Sequence, residues 1–469
     1  MKTKYYKSLC RYCDKILLSK DSTIFTYSIT DLHVLKEHPV LLNNYFKNNT
    51  YSNNERSNLI LKIFKYLTHL FFKEKNFKLT FSQKKRHDIL ILSNLINKSH
   101  LNNINDFYFG NLQSKLNSIG LKTITILRNF TNEENSKLNQ KLTKNKILLF
   151  KTTYITMEIK FLLRALLEYF LIKKNFQKPK TLKLNSSFLS LLSFKSMISN
   201  LRLSFQIKKL VQVTNPKIVI ITFEGHAWER VLIKTLKELN SQIKIVGYQF
   251  SSITKYQHSV FRKLKNNYNP DLILSSGEIT KKKFLKTFKS DVEIIGSFKS
   301  NQIKYKKYKS SKNVFLFLPE AFYSETIFLY NFAYDCAVKY PNLKFVFKCH
   351  PMMIDFIQKK STLKNLNISK KNLNDELKKS KFVIFRGSAS VFEAVLAGSI
   401  PIYLSKPNEM SINPLFEAFP KKQSITYADD LLKIIKYDIK KNRQLLNYCK
   451  RFFTPLTHQP IKDYFKKIC

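Results

Sequence analysis

The sequence predicts an α/β protein built from two doubly wound parallel domains. Short, continuous apolar runs, typical of strands buried on both faces, alternate with amphipathic stretches typical of helices. The alternation occurs in two successive blocks, at 217–295 and 314–404, and a Lys-rich stretch separates them. Alternating strands and helices of this kind form parallel sheets that are covered by helices.

The first block belongs to a predicted domain at 81–298. The first 80 residues show no clear period, and we expect an extension of helices and loops packed on this domain. Helix-period apolar positions predict a helical insertion at about 145–211. The predicted strands lie at 88–92, 122–127, 217–222, 243–248, 271–274 and 292–295. The other predicted helices lie at 110–119, 227–239 and 278–287.

The second block belongs to a predicted domain at 313–469, which follows a linker at 299–312. Its last 50 residues are predicted to be helical, and Asn374 is a candidate N-cap. The predicted strands lie at 314–318, 344–347, 381–385 and 400–404. The predicted helices before the C-terminal region lie at 325–340, 374–380 and 390–397.

The charge is strongly positive. The 469 residues include 82 Lys and Arg against 32 Asp and Glu, a formal net charge of +50. A bias toward Lys, Asn and Ile spread along the whole chain is typical of AT-rich genomes, and no RRM, KH or helix-turn-helix signature appears. We therefore expect no nucleic-acid partner, and at most a weak contact with an anionic membrane surface.

Cysteine usage and hydropathy favour a cytoplasmic protein, peripheral at most on the inner face of the membrane. The six Cys are dispersed, and the Cys10–Cys13 pair has no second pair at zinc-binding spacing, so we predict neither a disulfide framework nor a metal site. No signal peptide and no apolar run long enough to span a membrane are visible. The most apolar stretch, 161–172, contains Arg164 and Glu168 and predicts an amphipathic helix.

The clearest candidate site follows two strands of the second domain. A turn of small residues that opens a helix directs backbone N–H groups and the positive end of the helix dipole at one point, which suits an anion. Hydroxyl, imidazole and guanidinium groups there can donate to a phosphate, and a carboxylate one turn into the helix can accept from a ribose hydroxyl. The candidate donor-site residues are His350, Pro351, Arg386, Gly387, Ser388, Ser390 and Glu393.

One alternative remains open for this turn. Ser388 could only cap the helix, as a lone serine before a helix often does. The GxxxxGK[ST] and GxGxxG patterns are both absent, so neither ATPase nor dinucleotide chemistry is indicated.

A second candidate site follows a strand of the first domain. Glu224 lies where that strand ends and could act as a general base toward a hydroxyl, with His226 as the rival base. Glu224 could instead be a helix N-terminal anion with no catalytic role. Glu229 and Arg230 are a candidate structural ion pair. The residues expected to line the same cleft or its hinge are Gly225, Gln249, Gly296 and Ser297.

These motifs together resemble the GT-B glycosyltransferases. FVIFRGSASVFEAVLAGSIPIYL is similar to the donor signature of that fold, and ITFEGHAWERVL, IVGYQFS, NPDLILSSGE and IIGS resemble the second half of an acceptor domain. The set looks most like a bacterial family of surface-carbohydrate biosynthesis, of capsule or O-antigen type, with an EGHAWER-like motif. The resemblance covers roughly 215–405 and implies two Rossmann-like domains that face each other across a cleft.

The resemblance extends to the enzymes that use CMP-sugars, the bacterial sialyl and Kdo transferases. It implies that His350-Pro351 and Ser388 with Ser390 hold the CMP phosphate, and that Glu224-Gly225 supplies the base. Two departures stand out: Ala389 separates the serines, and Phe223 stands where relatives often have a second acid.

The implied activity is sugar transfer from a nucleotide-sugar, with a CMP-sugar favoured, to a glycan or lipid-linked acceptor. The retaining pattern of two Glu eight residues apart is missing, because Phe385 precedes Glu393 at that spacing, so inversion without metal or cofactor is implied. Alternatives are a CDP-polyol phosphotransferase or a nucleotide-sugar epimerase of the same fold. From other classes, a non-catalytic GT-B-like partner and a nucleic-acid-binding protein remain.

Overall fold

The computed structural model describes residues 2–37, 39–40, 86–96, 101, 105–131, 133, 135–139, 142, 146–175, 192–301, 313–357, 363–436 and 443–468. Three parts of the predicted regions lie outside the described residues: 41–80 of the extension, 302–312 of the linker and 176–191 of the helical insertion.

The first domain contains a seven-stranded sheet in which every strand pair is parallel. Its strands are β1 (Ile89–Leu95), β2 (Thr123–Asn129), β3 (Lys146–Leu148), β4 (Ile218–Thr222), β5 (Lys244–Gln249), β6 (Leu272–Ser275) and β7 (Asp291–Ile294). They are arranged in the order β3-β2-β1-β4-β5-β6-β7. All five residues of β4 are buried, as the continuous apolar run predicts.

The second domain contains a six-stranded sheet that is also entirely parallel. Its strands are β8 (Val314–Leu318), β9 (Lys344–Phe347), β10 (Leu366–Ile368), β11 (Phe382–Phe385), β12 (Ile400–Leu404) and β13 (Ser424–Ile425). Their order is β10-β9-β8-β11-β12-β13. Two parallel sheets of this topology confirm the predicted pair of doubly wound, Rossmann-like domains.

Helices connect the strands. Those of the first part of the chain are α1 (Lys2–Leu17), α2 (Ile24–Tyr27), α3 (Leu112–Ser118), α4 (Asn135–Asn139), α5 (Ile155–Asn175), α6 (Leu192–Thr214), α7 (Ala227–Leu239), α8 (Glu278–Leu285) and α9 (Phe298–Asn301). Those of the second part are α10 (Tyr323–Lys339), α11 (Ile354–Ile357), α12 (Leu373–Leu377), α13 (Ser390–Ala397), α14 (Asp430–Lys436), α15 (Arg443–Phe452) and α16 (Gln459–Ile468). The N-cap of α12 is Asn372, and not the predicted Asn374.

The first sheet is covered on both faces. Adjacent residues of a strand point to opposite faces, so Leu90 packs with α6 and α7 while Ile89 packs with α3 and α16. Because α16 follows the second domain in sequence, the chain ends by returning to the first sheet. The described helices include none long and apolar enough to cross a membrane.

The N-terminal helices form an outer core against the first domain. Residues of α1, α5 and α6 pack together there, with Cys10 and Cys13 buried among them. Burial raises the pKa of the Cys10 thiol to about 12, so it stays protonated at neutral pH. Both cysteines of the CxxC pair therefore act as small apolar core residues.

The two domains share apolar and polar contacts. Ile253 of the first domain packs in one cluster with Phe385, Phe392 and Phe452 of the second. The Ser276 hydroxyl donates to the Phe452 carbonyl at 3.2 Å. These contacts fix the two sheets relative to each other around the cleft between them.

Candidate active site at the facing strand ends

Each sheet has one point where the strand order reverses direction. In the first sheet this switch point lies between β1 and β4, and in the second it lies between β8 and β11. Ligands of open α/β sheets bind beyond the carboxyl ends of the strands at such points. Glu224 follows β4 and Glu320 follows β8, so each switch point presents a carboxylate.

A buried carboxylate fixes the turn that presents Glu224. Glu229, in the first turn of α7, is fully buried and accepts the backbone N–H groups of Glu224, Gly225 and His226 at 2.9, 2.7 and 2.9 Å. Gly225 has φ +81°, and a Cβ there would lie 2.3 Å from the Ser259 carbonyl oxygen. The Glu-Gly-His sequence is thus held in one conformation at the strand end.

Glu229 and Arg230 do not form the ion pair that the sequence suggested. The buried Arg230 guanidinium donates to the carbonyls of Tyr268 and Ser259 at 3.1 and 3.3 Å, and it lies 4.7 Å from the centroid of the Phe223 ring. The Glu229 carboxylate accepts hydrogen bonds from the backbone of the turn. The two residues therefore have separate structural roles.

Two cationic groups contact Glu224. Its Oε1 lies 3.2 Å from Lys36 Nζ, its Oε2 lies 3.5 Å from His226 Nε2, and its side chain is 13% exposed. Burial alone would raise the pKa of Glu224, but Lys36, His226 and the Ser251 hydroxyl hold it well below its usual range. Glu224 is therefore ionised throughout the neutral range.

The pKa of His226 is shifted in the opposite direction, upward. Burial alone would lower its pKa, but the hydrogen bond with Glu224 and the charges of Glu229 and Glu224 raise it to about 8. His226 is therefore mostly protonated at neutral pH, which makes it a donor and not a base in this state. Of the two rival bases, Glu224 is the one whose ionisation state fits the role.

Lys36 comes from a segment for which no site was predicted from the sequence. Arg262 donates to the Leu32 carbonyl at 2.8 Å and forms an ion pair with Asp14 at 2.7 Å, which ties this N-terminal segment to the first domain. The charge of Lys36 also lowers the pKa of Glu320 in the second domain. Lys36 thus contacts the carboxylate of the first switch point, and its charge also acts on the carboxylate of the second.

Glu320 contacts the predicted anion-binding turn. Its Oε1 accepts the Gly387 N–H at 2.9 Å, and a Cβ on Gly387 would lie 2.4 Å from that oxygen. Burial and the Glu325 charge raise the pKa of Glu320 to about 7, against the lowering effects of Arg386 and Lys36. In this structure an internal carboxylate therefore takes one N–H of the turn, and Glu320 was missed by the sequence analysis.

Arg386 has a different role from the expected one. It is 2% exposed, and its guanidinium donates to Glu325 at 2.5 Å, to the Leu404 carbonyl at 2.8 Å and to Glu409 at 2.7 Å. Lys406 completes this buried network at 2.7 Å from Glu325. Because Nε, Nη1 and Nη2 all donate within the protein, Arg386 positions the strand end and is not a phosphate ligand in this arrangement.

The other candidate donor-site residues flank Glu320. The strand order places His350-Pro351, after β9, on one side of Glu320, and Ser388, after β11, on the other. His350 is partly buried, and its Nδ1 accepts the Met352 N–H at 3.3 Å. Ser390 is the first residue of α13, and Glu393 lies partly buried one turn later.

The helix that follows the turn has no side-chain cap. The N-cap of α13 is Ala389, and no side-chain hydrogen bond caps the helix, so Ser388 does not act as the cap. That removes the simplest structural explanation for Ser388. The Val391 and Phe392 N–H groups donate to the Ser388 and Ala389 carbonyls at 3.3 and 3.1 Å, so a ligand at this edge would meet the N–H groups between Gly387 and Val391.

The residues expected to line the cleft are more enclosed than predicted. Gln249 is fully buried and donates to the Ser251 carbonyl, so it supports the loop after β5 without reaching solvent. Gly296 has φ +85° and packs against the Pro455 carbonyl, and the Ser297 N–H donates to the Thr454 carbonyl at 2.8 Å. Gly296 and Ser297 thus contact the segment through which the chain returns from the second domain.

The arrangement supports acid–base chemistry on a ligand between the sheets. It provides an ionised carboxylate with a protonated imidazole on one side, and a carboxylate of near-neutral pKa beside backbone donors on the other. Within the described ranges, no group of three or more His, Cys, Asp or Glu is placed to hold a metal ion.

Comparison with known proteins gives fold-level likenesses only. No protein-family model matches the sequence, and no curated protein matches it. Similar solved structures include the UDP-GlcNAc 2-epimerase of Methanocaldococcus jannaschii in complex with UDP-GlcNAc and UDP. It is 11% identical with a TM-score of 0.47, and the match covers 81% of this chain and 99% of that one. The S. aureus MnaA–UDP structure is 11% identical with a TM-score of 0.48, and the match covers 82% of this chain and 98% of that one. The glycosyltransferase SnogD from Streptomyces nogalater is 10% identical with a TM-score of 0.47, and the match covers 82% of this chain and 100% of that one.

At these identities and TM-scores, no residue role and no substrate is transferred to this chain. The two parallel sheets themselves establish the fold class.

The raised pKa of His226 can be measured directly. We expect an NMR titration to give about 8 in the wild type and a value nearer the ordinary 6.5 or so in Glu224→Gln, because the carboxylate partner is removed. Since the folded-state pKa lies above the unfolded one, this contribution to stability is complete below about pH 6.5 and is lost as the pH rises through about 8. Glu278→Gln, which removes a surface carboxylate, should leave the titration unchanged; an equal shift there would contradict the assignment.

The buried role of Arg386 predicts a loss of stability. Arg386→Met removes the guanidinium that contacts both Glu325 and Glu409 and leaves the two carboxylates to share Lys406, which should cost about 3–5 kcal/mol of unfolding free energy. Arg451→Met, which breaks the exposed pair with Glu278, should cost less than about 1 kcal/mol. Denaturant unfolding followed by circular dichroism measures both. Wild-type stability in Arg386→Met would show that the guanidinium is available to a ligand after all.

Proposed function

We propose that this chain is a nucleotide-sugar-dependent glycosyltransferase of bacterial surface-carbohydrate biosynthesis. It would transfer a sugar, with inversion, to a hydroxyl of a glycan or lipid-linked acceptor. The observation that carries the proposal is that both switch points hold a carboxylate, Glu224 in the first sheet and Glu320 at the Gly387 turn in the second, and that the charge of Lys36 acts on both. Two reactants bound at facing strand ends would meet between the sheets.

In the proposed reaction Glu224 acts on the acceptor. Its carboxylate accepts the proton of the acceptor hydroxyl while the oxygen attacks the anomeric carbon, and the bond from that carbon to the nucleotide phosphate oxygen breaks. A carboxylate of low pKa is a weak base, so an acceptor that separates Lys36 from Glu224 would help by raising its pKa. Protonated His226 holds the Glu224 carboxylate by hydrogen bonding.

The donor phosphate would lie at the carboxyl edge of the second sheet. The proposed ligands are the N–H groups that open α13, the hydroxyls of Ser388 and Ser390, and the imidazole of His350, with Pro351 fixing the turn. These donors would stabilise the negative charge that develops on the leaving nucleotide. Gly387 leaves room for Glu320 beside the turn, and Glu393 would accept from the ribose.

We favour a CMP-sugar as the donor. His350-Pro351 and the Ser388, Ser390 pair are the residues that match the phosphate-binding motifs of CMP-sugar enzymes. A UDP- or GDP-sugar would require the same phosphate contacts and a different base pocket. Arg386 is engaged by Glu325, Glu409 and the Leu404 carbonyl and is not proposed as a ligand of the donor.

An epimerase is the second candidate, and one observation favours it. Glu320 has a pKa of about 7 while that of Glu224 is lowered, and paired carboxylates with opposite shifts are typical of acid and base working on one substrate. An epimerase that removes and returns a carbon-bound proton would use such a pair. It would leave the sugar attached to its nucleotide, whereas a transferase would not.

Incubation with nucleotide-sugars in D₂O distinguishes the two. We expect slow release of the nucleotide, with water as acceptor, and no deuterium in the sugar, both followed by NMR. Glu224→Gln should lower the release rate by at least about a hundredfold, because the proton acceptor is lost. Glu278→Gln provides the matched control, since it makes the same change at the surface and should keep the wild-type rate.

Two results would overturn the transferase proposal. Deuterium in an otherwise intact nucleotide-sugar would establish the epimerase. Equal rates in Glu224→Gln and the wild type would remove Glu224 from the chemistry.

A further inference from the structure

We propose that the outer face of α5 docks on an anionic lipid surface. Seven large apolar side chains on and just before this helix are 38–56% exposed. They are Tyr154, Ile155, Ile159, Leu163, Leu167, Phe170 and Leu171. A contiguous apolar face of this kind on a folded domain indicates an interaction surface.

The spacing places these side chains on one stripe. Ile155, Ile159, Leu163, Leu167 and Leu171 recur every four residues, and residues four apart on a helix are neighbours on its surface. The opposite side of α5 is already packed in the outer core. The helix is therefore apolar on both its inner and its outer side, which a purely water-facing helix would not be.

The core-facing contacts are made by a separate set of side chains. Phe161, Leu162, Ala165 and Ile172 are buried against the N-terminal helices. The five residues of the stripe, Ile155, Ile159, Leu163, Leu167 and Leu171, are not members of that core cluster. The stripe and the core packing of α5 are therefore made by different side chains.

The charges around the stripe have one sign. Lys160, Arg164 and Lys174 of α5 are exposed, whereas its two carboxylates turn inward. Glu158 pairs with Arg202 at 2.5 Å, and Glu168 accepts from the Thr26 hydroxyl. The exposed side of α5 thus combines apolar residues and cations without a carboxylate.

This combination matches an anionic bilayer. Apolar side chains enter the boundary between headgroups and acyl chains, and flanking cations contact the anionic headgroups. Docking of a second copy of this chain through the same face would oppose like charges, in a chain whose net charge is already +50. Charge complementarity therefore favours lipid over self-association.

The stripe also starts at the functional edge of the first sheet. It begins six residues after β3 ends, and the intervening residues are held by Arg202, which donates to the Lys151 carbonyl at 2.7 Å, and by Gln206, which donates to the Thr152 carbonyl at 2.9 Å. All strands are parallel, so this is the edge from which Glu224 projects. Docking would bring that edge toward the bilayer, and, if the proposed function holds, would favour a lipid-linked acceptor.

Vesicle flotation tests the docking without any assay of activity. The full chain is mixed with vesicles of phosphatidylcholine alone, or of equal parts phosphatidylcholine and phosphatidylglycerol. We expect the wild type to float with the anionic vesicles and Leu163→Glu/Leu167→Glu to bind them more than about tenfold more weakly. Lys160→Gln/Arg164→Gln should weaken binding by about fivefold per cation removed.

The matched control is Leu285→Glu/Val338→Glu. It makes the same change in charge and apolarity at two exposed positions away from the stripe, and should bind within about twofold of the wild type. Circular dichroism of each variant confirms that it is folded. Equal weakening in the control would mean that overall charge drives binding and would overturn the proposal.

Two further outcomes would also overturn it. One is a wild type that does not bind anionic vesicles at low salt. The other is a wild-type dimer that Leu163→Glu/Leu167→Glu dissociates without any change in vesicle binding, since the stripe would then join two copies of the chain. Neither outcome bears on nucleotide-sugar chemistry, which the D₂O experiment tests separately.

Discussion

The ion pair between Lys36 and Glu224 is the interaction on which the proposed site depends, because it keeps a buried carboxylate ionised at the first switch point. Glu320 is the carboxylate at the second switch point. Lys36 forms an ion pair with Glu224 at 3.2 Å and lowers the pKa of Glu320. Through this one cation the N-terminal segment acts on the carboxylates of both domains.

The two carboxylates differ because their surroundings differ. Glu224 has two cationic neighbours and stays ionised, whereas Glu320 lies near Glu325 and has a pKa of about 7. Other buried polar groups hold the neighbouring backbone, Glu229 at the turn of Glu224 and Arg386 at the end of β11. A site built in this way is preorganised before any ligand binds.

Much of the fold could be predicted from the sequence because buried parallel strands are continuous apolar runs. The strands β3, β10 and β13 were missed because two or three residues carry no period, and β3 lay within a stretch predicted to be helical. Glu320 could have been found, since it follows a predicted strand just as Glu224 does. Lys36 could not have been found, because it comes from a segment without periodicity. The ion pairs of Arg386 could not be predicted either, because its partners lie far away in sequence.

Binding of a nucleotide at the second switch point is the central claim, and calorimetric titration with CMP, CDP, UDP and GDP tests it most directly. The account predicts saturable binding of at least one nucleotide to the wild type and to His458→Ala, and a marked loss of affinity in His350→Ala. His458 lies before α16, away from the second sheet, so it controls for the loss of an imidazole. Absence of binding to the wild type, or equal binding by both variants, would contradict the account.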